Sequence, residues 1–93
     1  MEYTIERTSR FKREYKLIKK RGYDISLLKA VIEKLAKGEP LPAQNKDHPL
    51  HSNWNGYREC HILNDWLLIY KYKNDELILS LTATGTHSDL FNE

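Results

Sequence analysis

The apolar residues of this chain change their spacing partway along, and that change decides the kind of fold open to it. Phe11, Tyr15 and Ile18 recur at helical intervals, and so do Leu28, Val31, Ile32 and Leu35. From Tyr57 onward the pattern is that of strands. Thr8 or Ser9 can cap the first helix and Asp24 the second. Gly22 suits the residue after a helix because it reaches positive φ cheaply. Gly38 ends the second helix, and Pro40 and Pro42 prevent its continuation. The short break at Gly22 and Tyr23 makes the two helices an antiparallel hairpin.

Ahead of the hairpin, residues 2–6 alternate, with Tyr3 and Ile5 on one face of a short strand. Behind it, residues 38–56 show no regular period; loops of this length in small domains are usually functional or disordered. Leu41, Leu50 and Trp54 give this loop something to pack, and Trp54 is expected in the core. Residues 57–63 and 66–72 read as strands joined by a two-residue turn at Asn64-Asp65. After a turn at Asn74-Asp75, residues 76–82 alternate with Leu77, Leu79 and Leu81 on one side. Gly85 breaks that pattern, and residues 88–91 allow one helical turn, capped by Thr86 or Ser88. The expectation is one α+β domain over residues 1–93. Its order is β-α-α-β-β-β, with the helical hairpin packed on one face of a mainly antiparallel sheet.

Strand parity divides the chemistry between two faces. Tyr57, Glu59 and His61 point one way, and Arg58, Cys60 and Ile62 the other. With Asn64-Asp65 as the turn, His61 should lie opposite Leu68 and Glu59 opposite Tyr70. Cys60 and Ile62 would join Leu67 and Ile69 against the helices. The other face would present Tyr57, Glu59, His61 and Tyr70, an ionisable, aromatic-lined surface suited to a site.

The charge is lopsided. Residues 1–38 hold eleven Lys/Arg against five Asp/Glu, a balance of +6, and residues 39–93 hold four against eight, a balance of −4. A basic helix carrying Lys12, Arg13, Lys16, Lys19 and Lys20 beside a histidine-bearing half can steer a polyanion toward a reactive site, or can be a solvated helix face. No apolar run approaches the ~20 residues of a membrane span. Nothing at the N-terminus resembles a signal peptide, and the lone Cys60 cannot form an internal disulfide. A cytoplasmic protein is expected.

Histidine is the side chain that most readily exchanges protons near neutral pH. His48 lies in Lys-Asp-His-Pro-Leu, His61 in Arg-Glu-Cys-His-Ile and His87 in Thr-Gly-Thr-His-Ser. Taken singly, His48 and His61 are no more than surface polar residues. His87, at a strand end beside Gly85, fits a cleft and a capping motif equally well. Pro49 excludes a regular helix through His48-x-x-His51, so no metal site is expected there. Cys60 should be buried and inert.

The segments KDHPL, GYRECHI, DWLLIY and TGTHSDLF, in this order and spacing, resemble the YafQ branch of the RelE-type toxins of bacterial toxin–antitoxin systems. The resemblance spans nearly the whole chain, and its last three segments are the most specific. It implies a RelE-like fold and a type II toxin that is a ribosome-dependent endoribonuclease of translated mRNA. It also implies a cognate antitoxin as partner, with the toxin alone a monomer and the complex a hetero-oligomer, and it calls for no membrane and no cofactor. The catalytic positions it implies are His48, His61, Asp65 and His87. Glu59, Arg58, Lys46 and Phe91 would contact substrate, and the basic helix would contact ribosome or RNA. The chain departs from the family at Ala83, where relatives often carry Arg. The chemistry implied is attack by the RNA's own 2′-hydroxyl, with one group as base and another as acid and no metal. A non-catalytic ParE-like toxin, or a plain ribosome- or RNA-binding module, is the alternative, and neither would need the histidines.

Overall fold

Thr8, not Ser9, starts the first helix: its hydroxyl accepts from the Phe11 N–H at 2.9 Å. The helix, α1, covers Ser9–Lys20. It closes where Gly22 (φ 86°) lets its own N–H reach the Lys19 carbonyl and the Tyr23 N–H reach that of Ile18. Asp24 then caps α2, Ile25–Ala36, by accepting from Ser26 N–H at 3.0 Å. Gly38 repeats the same closure, its N–H donating to Leu35 and that of Glu39 to Lys34.

In this computed structural model, which describes residues 2–91, the strands are β1 Thr4–Arg7, β2 His48–Pro49, β3 Arg58–Leu63, β4 Trp66–Lys73 and β5 Ile78–Gly85. A last helix, α3, is His87–Phe91. The sheet runs β1-β5-β4-β3-β2, with β1 parallel to β5 and the other pairs antiparallel. No helix is long and apolar enough to cross a membrane among the described residues.

The helices cover one face. Phe11, Ile18, Leu28, Val31 and Leu35 pack there on Cys60, Ile62, Trp66, Leu68, Tyr70, Leu79 and Leu81. Each large apolar side chain so buried contributes roughly 1.5–3 kcal/mol of transfer free energy. The opposite face carries a smaller core of Leu67, Ile69, Ala83 and Leu90, closed over by Leu50, Trp54, Tyr57 and Phe91. The irregular loop and α3 therefore cover that face, and Trp54 packs as expected.

Two register shifts correct the expected pairing. His61 pairs with Leu67 and Glu59 with Ile69, because a bulge at Ile62 adds one residue to β3. Leu67 and Ile69 consequently share the face of Glu59 and His61, whereas Leu68 and Tyr70 turn to the helices. Parity could not reveal this, since residues 66–70 are buried on both faces of β4. A second shift lets β5 pass from Leu81 opposite Tyr70 to Ala83 opposite Ile69, with Thr82 as the extra residue. Leu79 and Leu81 thus face the helices, while Ala83 faces the other way.

β1 pairs only as far as Leu81 on β5. Beyond it, α1 finishes the exposed side of β5. The Thr8 N–H donates to the Leu81 carbonyl and the Thr8 hydroxyl to that of Thr82. The Glu14 carboxylate accepts from the Thr84 N–H at 3.1 Å.

Candidate active site

The face away from the helical hairpin gathers residues from four places in the sequence. β2 brings His48 beside Glu59 on β3. His61 lies two residues further along β3, on the same side. The β3–β4 turn supplies Asp65, and His87 opens α3. Glu59 is the hub: its side chain is only 6% exposed, and its Oε1 lies 3.5 Å from His48 Nε2 and 3.7 Å from His61 Nε2. The His61 and His87 ring centroids are 5.8 Å apart.

Hydrogen bonding settles which nitrogen of each ring is free. His48 Nδ1 lies 2.7 Å from the Lys46 carbonyl oxygen and His61 Nδ1 3.2 Å from that of Asn64. His87 Nδ1 lies 2.6 Å from Asp65 Oδ1. A carbonyl or an ionised carboxylate can only accept, so all three Nδ1 atoms donate. The three Nε2 atoms are left for proton exchange. Asp65 also accepts the His87 backbone N–H at 3.0 Å. These bonds from His87, the backbone one first, hold the Asp65 carboxyl below its ordinary range. Asp65 therefore stays ionised and grips both the backbone and the ring of His87.

A second carboxylate fixes α3. Asp89 accepts from the Thr86 N–H at 3.0 Å, while the Asp89 N–H donates to the Thr86 hydroxyl at 3.1 Å, a reciprocal capping pair. Arg21, at the end of α1, reaches Asp89 with both terminal nitrogens, at 2.8 and 3.3 Å. Arg21 first, and Thr86 after it, pull the Asp89 carboxyl down to about 2. Gly85 makes room for this arrangement: a Cβ there would lie 2.9 Å from Asp89 Cβ.

Among the expected substrate-contact residues, Glu59 lies within the cluster, and Lys46 stands beside it with its carbonyl on His48. Phe91 is half-buried, its ring centroid 6.3 Å from His87 and 6.3 Å from Trp54. Trp54 in turn meets Tyr57 edge to face at 5.4 Å. Arg58 is not brought in. It points away from Glu59 and donates to Asp47 at 3.2 and 3.4 Å. Tyr70, expected on the site face, instead donates its hydroxyl to the same Asp47 at 2.5 Å. Burial, and then Asp47, push that phenol up, so it remains a donor. Lys12, Arg13, Lys16, Lys19 and Lys20 are exposed on α1, whose buried residues Phe11 and Ile18 pack on the other face of the sheet from Glu59. His51 is exposed at the start of the Ser52–Trp54 turn. Cys60 is buried on the helix face, and burial pushes its thiol up, as expected of an inert cysteine.

Sequence reasoning missed Arg21, Asp89 and Asn45, whose side-chain amide donates to the His61 carbonyl at 2.7 Å. The Thr86-x-x-Asp89 spacing was the readable signal for one of them. Glu59, His61 and His87 also form a three-donor cluster, their nearest ligating atoms within 4.8 Å of one another. Tetrahedral coordination with bonds of roughly 2.1 Å needs donors about 3.4 Å apart, so these side chains would have to close in to hold an ion.

Comparison with known proteins agrees with this fold. Residues 3–92 match the family described as bacterial toxin of type II toxin-antitoxin system, YafQ. The mRNA interferase toxin YafQ of Escherichia coli (strain B / BL21-DE3) is 44% identical over 88 residues, 94% of each chain. The structure resembles that of the E. coli DinJ-YafQ toxin-antitoxin complex with a TM-score of 0.88 at 40% identity, covering 98% of this chain and 99% of that one. It also resembles a metal-bound toxin from Helicobacter pylori, with a TM-score of 0.91 at 42% identity, covering 96% and 99%.

Proposed function

The chain belongs to the YafQ family of bacterial type II toxin–antitoxin toxins, and on that premise we propose that His48, His61, Asp65 and His87 carry out its cleavage of RNA. It is an mRNA interferase, an endoribonuclease, and its partner is an antitoxin. We further propose that it acts as a single domain on translated mRNA at the ribosome, in the cytoplasm, without a metal.

The observation that supports the reading is the shared commitment of the three Nδ1 atoms, which leaves the Nε2 atoms of His48 and His61 beside Glu59 and that of His87 on the ring next to His61. RNA supplies its own nucleophile. His48 takes the proton of the 2′-hydroxyl as that oxygen attacks the adjacent phosphorus. The bond to the departing 5′-oxygen breaks, and His87 gives that oxygen a proton. The products are a 2′,3′-cyclic phosphate and a free 5′-hydroxyl. Asp65 behind His87 orients the ring and steadies the positive charge it carries while it holds both protons. His61 donates to the phosphate oxygens as charge builds there. Glu59 keeps the rings in register from below, with Lys46 and Phe91 at the margins of the substrate. The exposed cations of α1 serve the ribosome rather than the reacting bond.

Primer extension on mRNA after expression, wild type against His87→Gln, tests the assignment. Loss of cleavage with antitoxin binding kept is the expected result, and full cleavage by the variant refutes the acid role. A substrate carrying one 2′-deoxyribose at the cut site should resist cleavage. Cleavage should persist in EDTA on ribosomes whose own magnesium is maintained.

A further inference from the structure

Next to the histidine cluster lies a cavity of about 540 Å³, and most of its lining takes no part in the cleavage step. This size falls within the range of small-molecule sites. It shares His61 and Asp65 with the cluster, so whatever fills it adjoins the reacting groups. Leu63, which is exposed, and Tyr23, packed edge-on against the buried Trp66 at 5.1 Å, give it an apolar side. Gln44, Lys46 and Asn64 stand at its rim. Among the described residues, the side-chain amides of Gln44 and Asn64 and the Lys46 ammonium have no hydrogen-bonding or acidic partner.

An apolar side flanked by unspent amides suits a flat heterocycle with polar edges. Single-stranded RNA is read in this way, by bases turned out of the stack and hydrogen-bonded along their edges. Each amide offers both a donor and an acceptor for such an edge. We propose that this cavity is a nucleobase subsite that takes one unpaired base of the substrate strand beside the bond cleaved. Gln44 and Asn64 read its edge, and Lys46 holds the neighbouring phosphate. This assignment rests on the RNA-cleaving reading above and adds the origin of sequence preference to it.

The cavity is also coupled to catalysis. Asn45, on one side, donates to the His61 carbonyl, and His61 Nδ1 donates to the Asn64 carbonyl on the other. A base seated between them bears on the same strand segment that sets His61. A matching base should therefore raise the rate of cleavage as well as binding.

Two measurements test the proposal. In the first, ribosomes carry mRNAs with all four bases at each position flanking the cut, and cleavage rates are compared for wild type, Gln44→Ala and Asn64→Ala. Both side chains are exposed, so the variants should fold. Discrimination at one flanking position should fall about 5- to 150-fold, the range for a lost pair of edge contacts. Unchanged preference at every position overturns the subsite. In the second, short RNA blocked by 2′-deoxyribose at the cut site is titrated into the isolated protein, and the Gln44 and Asn64 side-chain amide resonances are followed by NMR. Shifts that depend on one base's identity are expected. No shift, or the same shift for all four bases, overturns the proposal. This second measurement needs no cleavage, so its failure is distinct from a failure of the acid–base assignment, which His87→Gln reports.

Discussion

Replacing Asp89 by Asn isolates the charge that fixes α3. Asn keeps an oxygen for the Thr86 N–H but gives up the ion pair with Arg21. The Asp89 carboxyl sits at about 2 in the folded chain, against an ordinary 3.8. A depressed carboxylate contributes stability at pH values above its unfolded pKa, and that stability is lost as pH falls through the folded one. The window is therefore between about 4 and about 2. Unscreened, the shift converts to about 2 kcal/mol at neutral pH. The Asp89 side chain is 27% exposed, so solvent screening reduces this to roughly 1 kcal/mol. For a domain of this size that is about 4–8 °C in Tm.

Urea unfolding followed by circular dichroism, run on wild type and Asp89→Asn from pH 7 to pH 2, reads the difference directly. The wild type should be more stable by about 1 kcal/mol at pH 7, and the two should converge near pH 2. A difference that stays constant across that range refutes the reasoning, whatever its size. Because α3 begins with His87, the same variant should lose kcat on ribosome-bound mRNA with KM little changed.

Gly85→Ala places a methyl group 2.9 Å from Asp89 Cβ and should cost about 1–3 kcal/mol in thermal unfolding. Tyr70→Phe removes a hydrogen bond to the Asp47 carboxylate; a loss of about 1.5–3 kcal/mol is expected in the same assay. Asp65→Asn frees the His87 ring to take the wrong tautomer. Single-turnover cleavage should slow by about 100-fold or more, with antitoxin binding unchanged.

The helices were legible because each carries its own boundary marks. Thr8, Gly22, Asp24 and Gly38 act on backbone groups within a few residues of themselves. The strands were legible as elements but not as a register. Bulges at Ile62 and Thr82 reverse which side chains share a face, and a strand apolar on both sides gives no warning of it. Glu59 and His61 kept their expected common face because both precede the first bulge. Tyr70, beyond the same irregularity on the partner strand, did not. The likeness to a toxin family named the four catalytic candidates before any of them could be placed. The ties that set them, from Arg21 to Asp89 and from Asn45 to His61, join residues 68 and 16 positions apart. No local pattern encodes such pairs.

The manner in which the sheet ends bears on how the molecule behaves in a crowded solution. An open strand edge is a template on which another chain can add a strand. Here β2 is two residues long and contains a proline, which offers an incoming strand almost nothing to pair with. On the other side β1 is four residues long and carries Glu6 and Arg7. Where β1 stops, the side chains of Thr8 and Glu14 already occupy the backbone groups of Thr82 and Thr84. A protein finished in this way resists sheet-to-sheet polymerisation even when nothing else covers it, and so should stay dispersed without a partner to mask its edges.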